Sequence, residues 1–368
     1  MNKLVFGNLV HRPLRSLISV FAVAIEVVMI LSIAAALMGM LNGTKTRTSG
    51  IGMDIAARPG TSSNLVSVSG APAPLGIAAI LRKIPHVAVV APVNIHLSGG
   101  AKLENIYGID FDSFNALRPF HFIAGGPFQG PRDAIIDDYA AGTGKSALHV
   151  GDSIRIMNND FRVAGIVEHG KGGRKFVPIT TLDELDGDVG ASAFYIRTEN
   201  PPRFQDSVKQ AILAQPGLEK YDVETLDELM SQLTPEKMPG FNIALHLVIG
   251  ISVVIGFLVI FQSMYTAVME RTREIGILKS MGAARGYIVN LVLRESGLLA
   301  VTGTVVGIVV AFILQTIFHR VQPTLDFVIT LDWVFKAIGI ALLGALLGAL
   351  YPALKAARKD PIDALAYE

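Results

Sequence analysis

Apolar residues run almost unbroken through four stretches of the chain: Leu17–Leu41, Ile243–Met269, Leu291–Phe318 and Val334–Leu354. Each reaches the roughly 20 residues that carry a helix through a hydrocarbon core about 30 Å thick. Any one of them could be a buried helix of a large soluble domain. Four together, divided by a single large polar block, predict four transmembrane helices. The first run is about twice the length of the usual 7–15-residue apolar core of a signal peptide, and no clear A-x-A site ends it. It reads as a retained anchor.

The polar block, residues 42–242, has a different rhythm. Leu75–Ile84 has helical character and is followed, after Pro85, by an apolar strand at Val87–Val93. The order recurs as strand Ala193–Arg197, helix Arg203–Leu213 and a strand around Tyr221–Val223. Two such units predict a split α+β domain with helices on one face of a sheet. Between them lies a β-rich insertion at about residues 130–190. Within it, Ser153–Met157 and Phe161–Val167 alternate apolar and polar residues around Asn158-Asn159-Asp160, a hairpin signal.

Composition supports the membrane reading. Of 368 residues, 51% are hydrophobic and only 17% charged, against roughly a quarter charged in soluble domains. Basic residues flank the spans unevenly. Lys3, Arg12 and Arg15 precede the first; Arg271, Arg273, Lys279 and Arg285 lie between the second and third; Lys355, Arg358 and Lys359 follow the fourth. The positive-inside rule therefore places both termini and the 270–290 loop in the cytoplasm, and the 42–242 block outside. The expected layout is residues 1–16 as a cytoplasmic amphipathic helix and spans at 17–41, 243–269, 291–318 and 334–354. A coupling segment at 270–290, an outer loop at 319–333 and a tail at 355–368 complete it. A net charge of +1 argues against a nucleic-acid partner, and the absence of cysteine excludes disulfides and thiolate metal sites.

Catalytic chemistry is hard to find. Tyr139–Leu148, YAAGTGKSAL, ends like a phosphate-binding loop, but Tyr139 stands where the first glycine belongs and no long helix follows. The acids of DELDGDVG, 183–190, miss calcium-loop positions. His86, His96, His121, His149 and His169 lack ligand spacing. GKGGRK, 170–175, reads as a solvated hairpin tip or a partner-contact loop. The chain is expected to be non-catalytic, with no cofactor and no metal of its own.

Two features inside the spans carry meaning. Glu26 lies about nine residues into the first, roughly 14 Å along the helix. An acid at that depth must be neutral or face a partner helix or a wet cavity, and a substrate path or a moving dimer seam are its functional readings. Gly303-x-x-x-Gly307 and Gly344-x-x-x-Gly348 allow close helix approach, within the chain or between subunits.

The segment MERTREIGILKSMGAAR, 269–285, is water-facing through Glu270, Arg271, Arg273, Glu274 and Lys279. Ile275, Leu278 and Met281 recur on one helical face, and Gly282 is placed as a C-cap. An exposed apolar ridge with charged flanks is expected. Here the sequence resembles the FtsX/MacB-type permeases of ABC transporters, whose pattern after the second span is E-R-x-x-E-I-G-x-L-x-x-x-G-A. It is matched by Glu270, Arg271, Glu274, Ile275, Gly276, Leu278, Gly282 and Ala283. A second pattern, P-A-x-x-A…D-P-x-x-A-L, is met by Pro352, Ala353, Ala356, Asp360, Pro361, Ala364 and Leu365. LVFGNLVHRPLRSLIS looks like the family's amphipathic helix before span one, whereas Glu26 departs from the small residues expected there.

The resemblance implies a four-helix membrane protein of a bacterial inner membrane, with an α+β outer domain of porter-like and β-rich sabre-like parts between spans one and two. It implies a dimer of this chain or a close relative, and a separate cytosolic ATPase dimer carrying ATP and Mg. That ATPase would dock on Glu270, Arg271, Arg273, Glu274, Ile275, Leu278, Lys279 and Gly282. A periplasmic adaptor is a further candidate partner, and lipids are the remaining one. ATP-driven closure would move the outer domain, a scheme called mechanotransmission, to export or extract an amphiphile, lipid or lipoprotein. The alternatives are an FtsX-like relay to cell-wall hydrolases and an uncoupled membrane-anchored binding or adaptor protein.

Overall fold

The computed structural model describes residues 13–60, 72–99, 103–142, 147–187, 190–237, 240–321 and 326–359. The GTGKS positions 143–146, part of the 183–190 acidic run, residues 1–12 of the leading amphipathic helix, and Asp360–Leu365 of the second family pattern lie outside them. The chain forms two units, Met1–Met40 with Gly240–Glu368, and Leu41–Pro239. The second matches the polar block predicted at 42–242.

Helix α1, Pro13–Gly50, is longer than the apolar run that predicted it and contributes to both units. Leu41–Pro239 then continues through β1 (Ile55–Arg58), α2 (Ile77–Leu81), β2 (Val87–Gly99), β3 (Leu103–Ile109), α3 (Phe111–Leu117), β4 (Phe122–Gly125), β5 (Asp133–Asp137) and α4 (Asp138–Ala141). It closes with β6 (Ser153–Ile156), β7 (Asn159–Val167), β8 (Lys175–Pro178), α5 (Ile179–Asp186), β9 (Ala193–Thr198), α6 (Gln205–Leu213), β10 (Asp222–Thr225) and α7 (Leu226–Gln232). The strands make one sheet in the order β10-β1-β9-β2-β3-β8-β5-β7-β4, with β6 paired to β7.

The half containing β10, β1, β9 and β2 is the predicted split unit, β1-α2-β2 and β9-α6-β10 interleaved. Ile55, Ala57, Val90, Phe194 and Ile196 pack against Leu81 of α2 and Val208 and Ile212 of α6. The expectation of helices on one face needs correction. Ala56, Ala91, Val93 and Tyr195 point the other way and are covered by Phe114 and Leu117 of α3 and Leu229 of α7. The cause is visible in β9, which is buried at nearly every position and so needs cover on both faces.

The β-rich insertion joins this half through parallel pairing of β3 with β8. Its predicted hairpin is present as β6–β7, but Ile156 pairs Asn159, so the turn is Met157-Asn158, both at positive φ (49° and 61°). GKGGRK is not a solvated tip. Strand β7 pairs with β4, β5 and β6, β8 pairs with β3 and β5, and Lys171, Gly172 and Gly173 between them are buried.

In the other unit, α8 (Phe241–Glu270), α9 (Thr272–Ser280), α10 (Arg285–Val321) and α11 (Leu331–Arg358) follow. Helices α1, α8, α10 and α11 are long and apolar enough to cross a membrane. Large apolar side chains remain exposed on them, including Phe21 and Ile25 of α1 and Leu258 of α8, as lipid contact requires. Contacts between helices rest on small residues. A Cβ on Gly303 would come within 2.7 Å of Val23 Cβ, and one on Gly307 within 2.8 Å of the Ala24 carbonyl oxygen and of Val27 Cβ. A Cβ on Gly348 would lie 2.8 Å from the Phe257 carbonyl oxygen. Gly303 and Gly307 therefore seat α10 on α1, and Gly348 seats α11 on α8, all inside one chain.

Filling this seam tests its importance. Gly303→Val should cost about 1–3 kcal/mol by overpacking. Gly297→Ala on the same helix, where nothing lies within 4 Å, should be neutral or stabilising. Unfolding titrations in mixed detergent micelles would rank the two. Equal effects would contradict this packing.

Candidate functional site

Helix α9 is short because the chain breaks at Arg271, whose backbone leaves helical geometry (φ −104°, ψ 17°), and restarts at Thr272. It ends at a predicted point. Gly282 has φ +94°, the Gly282 N–H donates to the Lys279 carbonyl (3.0 Å) and the Ala283 N–H to the Leu278 carbonyl (3.0 Å). This pair of bonds is the Schellman arrangement, and the left-handed backbone it needs favours glycine.

Both ends of α9 are tied to neighbouring helices by charge. Arg271 Nη1 meets the Glu295 carboxylate of α10 at 3.1 Å, and both side chains are largely buried. Lys279 Nζ donates to the Ala357 carbonyl (3.0 Å) and to the Lys359 carbonyl, at the C-terminal end of α11. An ammonium there also meets the negative end of the helix dipole. Nearby, Lys355 of α11 donates to the Tyr265 hydroxyl of α8 at 2.8 Å. The cationic side chains at this end of the bundle thus fasten α9 and α8 to α10 and α11.

The predicted coupling residues separate accordingly. Glu270, Arg273 and Glu274 are exposed, Leu278 is half-buried and Gly282 caps the helix. Arg271 and Lys279 turn inward to the partners just described. Ile275 does not stand on an exposed ridge: it is 8% exposed, and with Leu278 it lines a cleft shared with Met264, Val268, Ile288 and Val292. The apolar side chains left outside are Ile277 (44% exposed) and Met281 (71%). Their i, i+4 spacing was readable, but the three-residue spacing of 275, 278 and 281 competed with it. Glu295 was also missed. A charged residue inside a predicted span, with an arginine before that span, was the available signal.

Glu26 lies deeper in the bundle. It is 3% exposed, and a Cβ on Gly256 of α8 would overlap its Oε2. From α11, a Cβ on Gly344 would approach its Oε1 to 3.9 Å. Glu26 therefore occupies a junction of α1, α8 and α11 within one chain. Its Oε1 has no hydrogen-bond partner among the described residues. Further along the same pair of helices, Ser19 and Ser263 hydroxyls meet at 2.5 Å, so α1 and α8 pass each other in one antiparallel register. Of the two small-residue pairs, Gly344 is the only member whose contact is this carboxyl.

Comparisons with known proteins agree with this architecture. The MacB-like periplasmic core domain family matches residues 16–213, more than half of the chain, and the FtsX-like permease C-terminal family matches residues 247–361. The chain belongs to the MacB- and FtsX-like ABC transporter permeases. A Bacillus subtilis relative, the uncharacterized ABC transporter permease YvrN, is 23% identical over 99% of this chain and 98% of its own length. An uncharacterized permease of Methanocaldococcus jannaschii, MJ1507, is 26% identical over 62% of each. The pyoverdine export ATP-binding/permease protein PvdT of Pseudomonas syringae pv. tomato is 28% identical over 83% of this chain. This chain spans about half the length of that exporter, 51%.

Two perturbations test the site. Arg271→Met or Glu295→Leu alone leaves a buried charge unpaired and should cost about 3–5 kcal/mol, and the double variant should cost clearly less. A double-mutant cycle of unfolding free energies measures the coupling, and additive losses would show that the pair is not joined. Gly256→Ala should loosen the α1–α8 contact, with Glu26→Ala in the same chain restoring it. Detergent resistance of the three variants reads this directly.

Proposed function

We propose that this chain is the permease subunit of an ABC transporter driven by a separate cytosolic ATPase dimer, which docks on α9. The observation that carries the reading is the way α9 is mounted. One of its ends is joined to α10 through Arg271–Glu295 and the other to the C-terminus of α11 through Lys279. Meanwhile Glu274, Ile277 and Met281 stay on the surface. A helix held at both ends passes a push from a docked partner to two spans at once. An isolated juxtamembrane anchor would have no use for that mounting.

In this reading the α9 end of the bundle and the termini are cytoplasmic, and ATP and Mg are bound by the partner. Closure of the ATPase dimer displaces α9, and the spans carry the movement to the extracytoplasmic domain of this chain and of a second permease copy. The cargo is an amphiphile, lipid or lipoprotein, passed outward with or without a periplasmic adaptor. Export is favoured over signal relay to cell-wall hydrolases by the match to an export protein across most of this chain.

Met281→Asp, at the exposed apolar position beside α9, should abolish stimulated ATP hydrolysis and release the ATPase in a gentle detergent pull-down, while the permease still inserts in the membrane. Full activity in that variant would sink docking on α9. Recovery of an intact dimer without any ATPase would favour the anchored binding protein.

A further inference from the structure

The glycine-rich segment that sequence placed in solvent is a fastening. Within Leu41–Pro239, the last turns of α1 are gripped by residues 170–173. A Cβ on Gly50 would overlap the Gly170 carbonyl oxygen, so backbone lies on backbone there. The Gly172 N–H donates to the Arg47 carbonyl at 2.8 Å, taking up one of the carbonyls that a helix end leaves open. A Cβ on Gly173 would run into the Tyr107 ring. Gly173 serves close approach to the Tyr107 ring, whereas Gly170 supplies a left-handed backbone (φ +101°) in open space.

Lys171 completes the grip from the other side. Its side chain is 8% exposed, and Nζ donates to the Phe114 carbonyl (3.2 Å) and the Arg118 carbonyl at the end of α3. The ammonium sits 3.9 Å from the centre of the Phe120 ring and 4.7 Å from that of Phe114. Burial and the nearby Arg118 guanidinium push it down to about 7. Keeping an ammonium in such a place is costly unless its donors are satisfied, and here two carbonyls and two ring faces do that. An apolar residue would fill the space more cheaply. The lysine adds directional bonds that tie the loop to one particular segment, Phe111–Gly125.

We propose that Lys171 is a positioning residue that fastens the end of α1 to the α3–β4 segment, so that displacement of α1 carries the β-rich half of the sheet with it. The functional part rests on the mechanically driven permease proposed above; the fastening itself does not.

Because the chain has no cysteine, spin labels can be placed without background removal. Thr46→Cys on exposed α1 and Ile123→Cys on β4 report the fastening in the full chain, reconstituted with its ATPase in lipid nanodiscs. The expected result is one narrow distance peak, unchanged by nucleotide. Lys171→Met should lose that single peak, and Lys171→Arg should keep it. Gly50→Ala, which strains the same contact from α1, should lose it as well, which guards against a folding defect peculiar to the methionine variant. A peak as narrow in Lys171→Met as in the parent would overturn the fastening. A second pair, Thr46→Cys with Val321→Cys, reads whether nucleotide moves α1 at all. If that pair stays still while Lys171→Met loosens the first, the fastening stands and the mechanical reading of function falls.

Discussion

Inside a bilayer, lipid tails are as apolar as leucine, so no hydrophobic penalty drives helices together. What remains is close contact, and this bundle obtains it by removing side chains at Gly256, Gly303, Gly307 and Gly348. The positions of the other groups follow. Only because Gly256 leaves its side open can the Glu26 carboxyl fit between α1 and α8, and only because α1 and α8 keep their register do Ser19 and Ser263 meet. Dispersion over many short contacts substitutes for the driving force that water supplies to soluble cores.

At the end bearing α9, the currency changes from contact to charge. Arg271, Lys279 and Lys355 each bridge two helices. The Arg271–Glu295 pair is largely buried, so solvent screens it less than an exposed pair. The bundle is therefore held by apolar contact at its middle and by directional polar contact at one end.

Much of this was legible in the chain. The spans were readable because crossing a membrane demands a length few other structures need. Gly282 was readable because the left-handed cap it provides leaves little choice of residue. The direction in which α9 presents its apolar side chains was not. Ile275, Leu278, Ile277 and Met281 supply two possible faces, and only the presence of Ile288 and Val292 on a later helix draws Ile275 inward. GKGGRK misled for a related reason: glycine permits a loop in water and a backbone pressed against backbone equally well, and the partner at Gly50 lies far away in sequence. The small-residue motifs announced contact without naming the partner helix, which depends on the register of α1.

One feature of the sheet bears on how the protein is made. Strand β1 directly follows α1, yet the strands that flank it are β9 and β10, at the far end of the domain. As the nascent chain emerges, β1 must stay unpaired on both edges until almost all of Leu41–Pro239 has been synthesised, and its closure is among the most non-local contacts in the fold. Two open edges on an apolar strand invite wrong pairing. The short length of β1, four residues, and its tether to an already inserted helix limit that hazard during biogenesis.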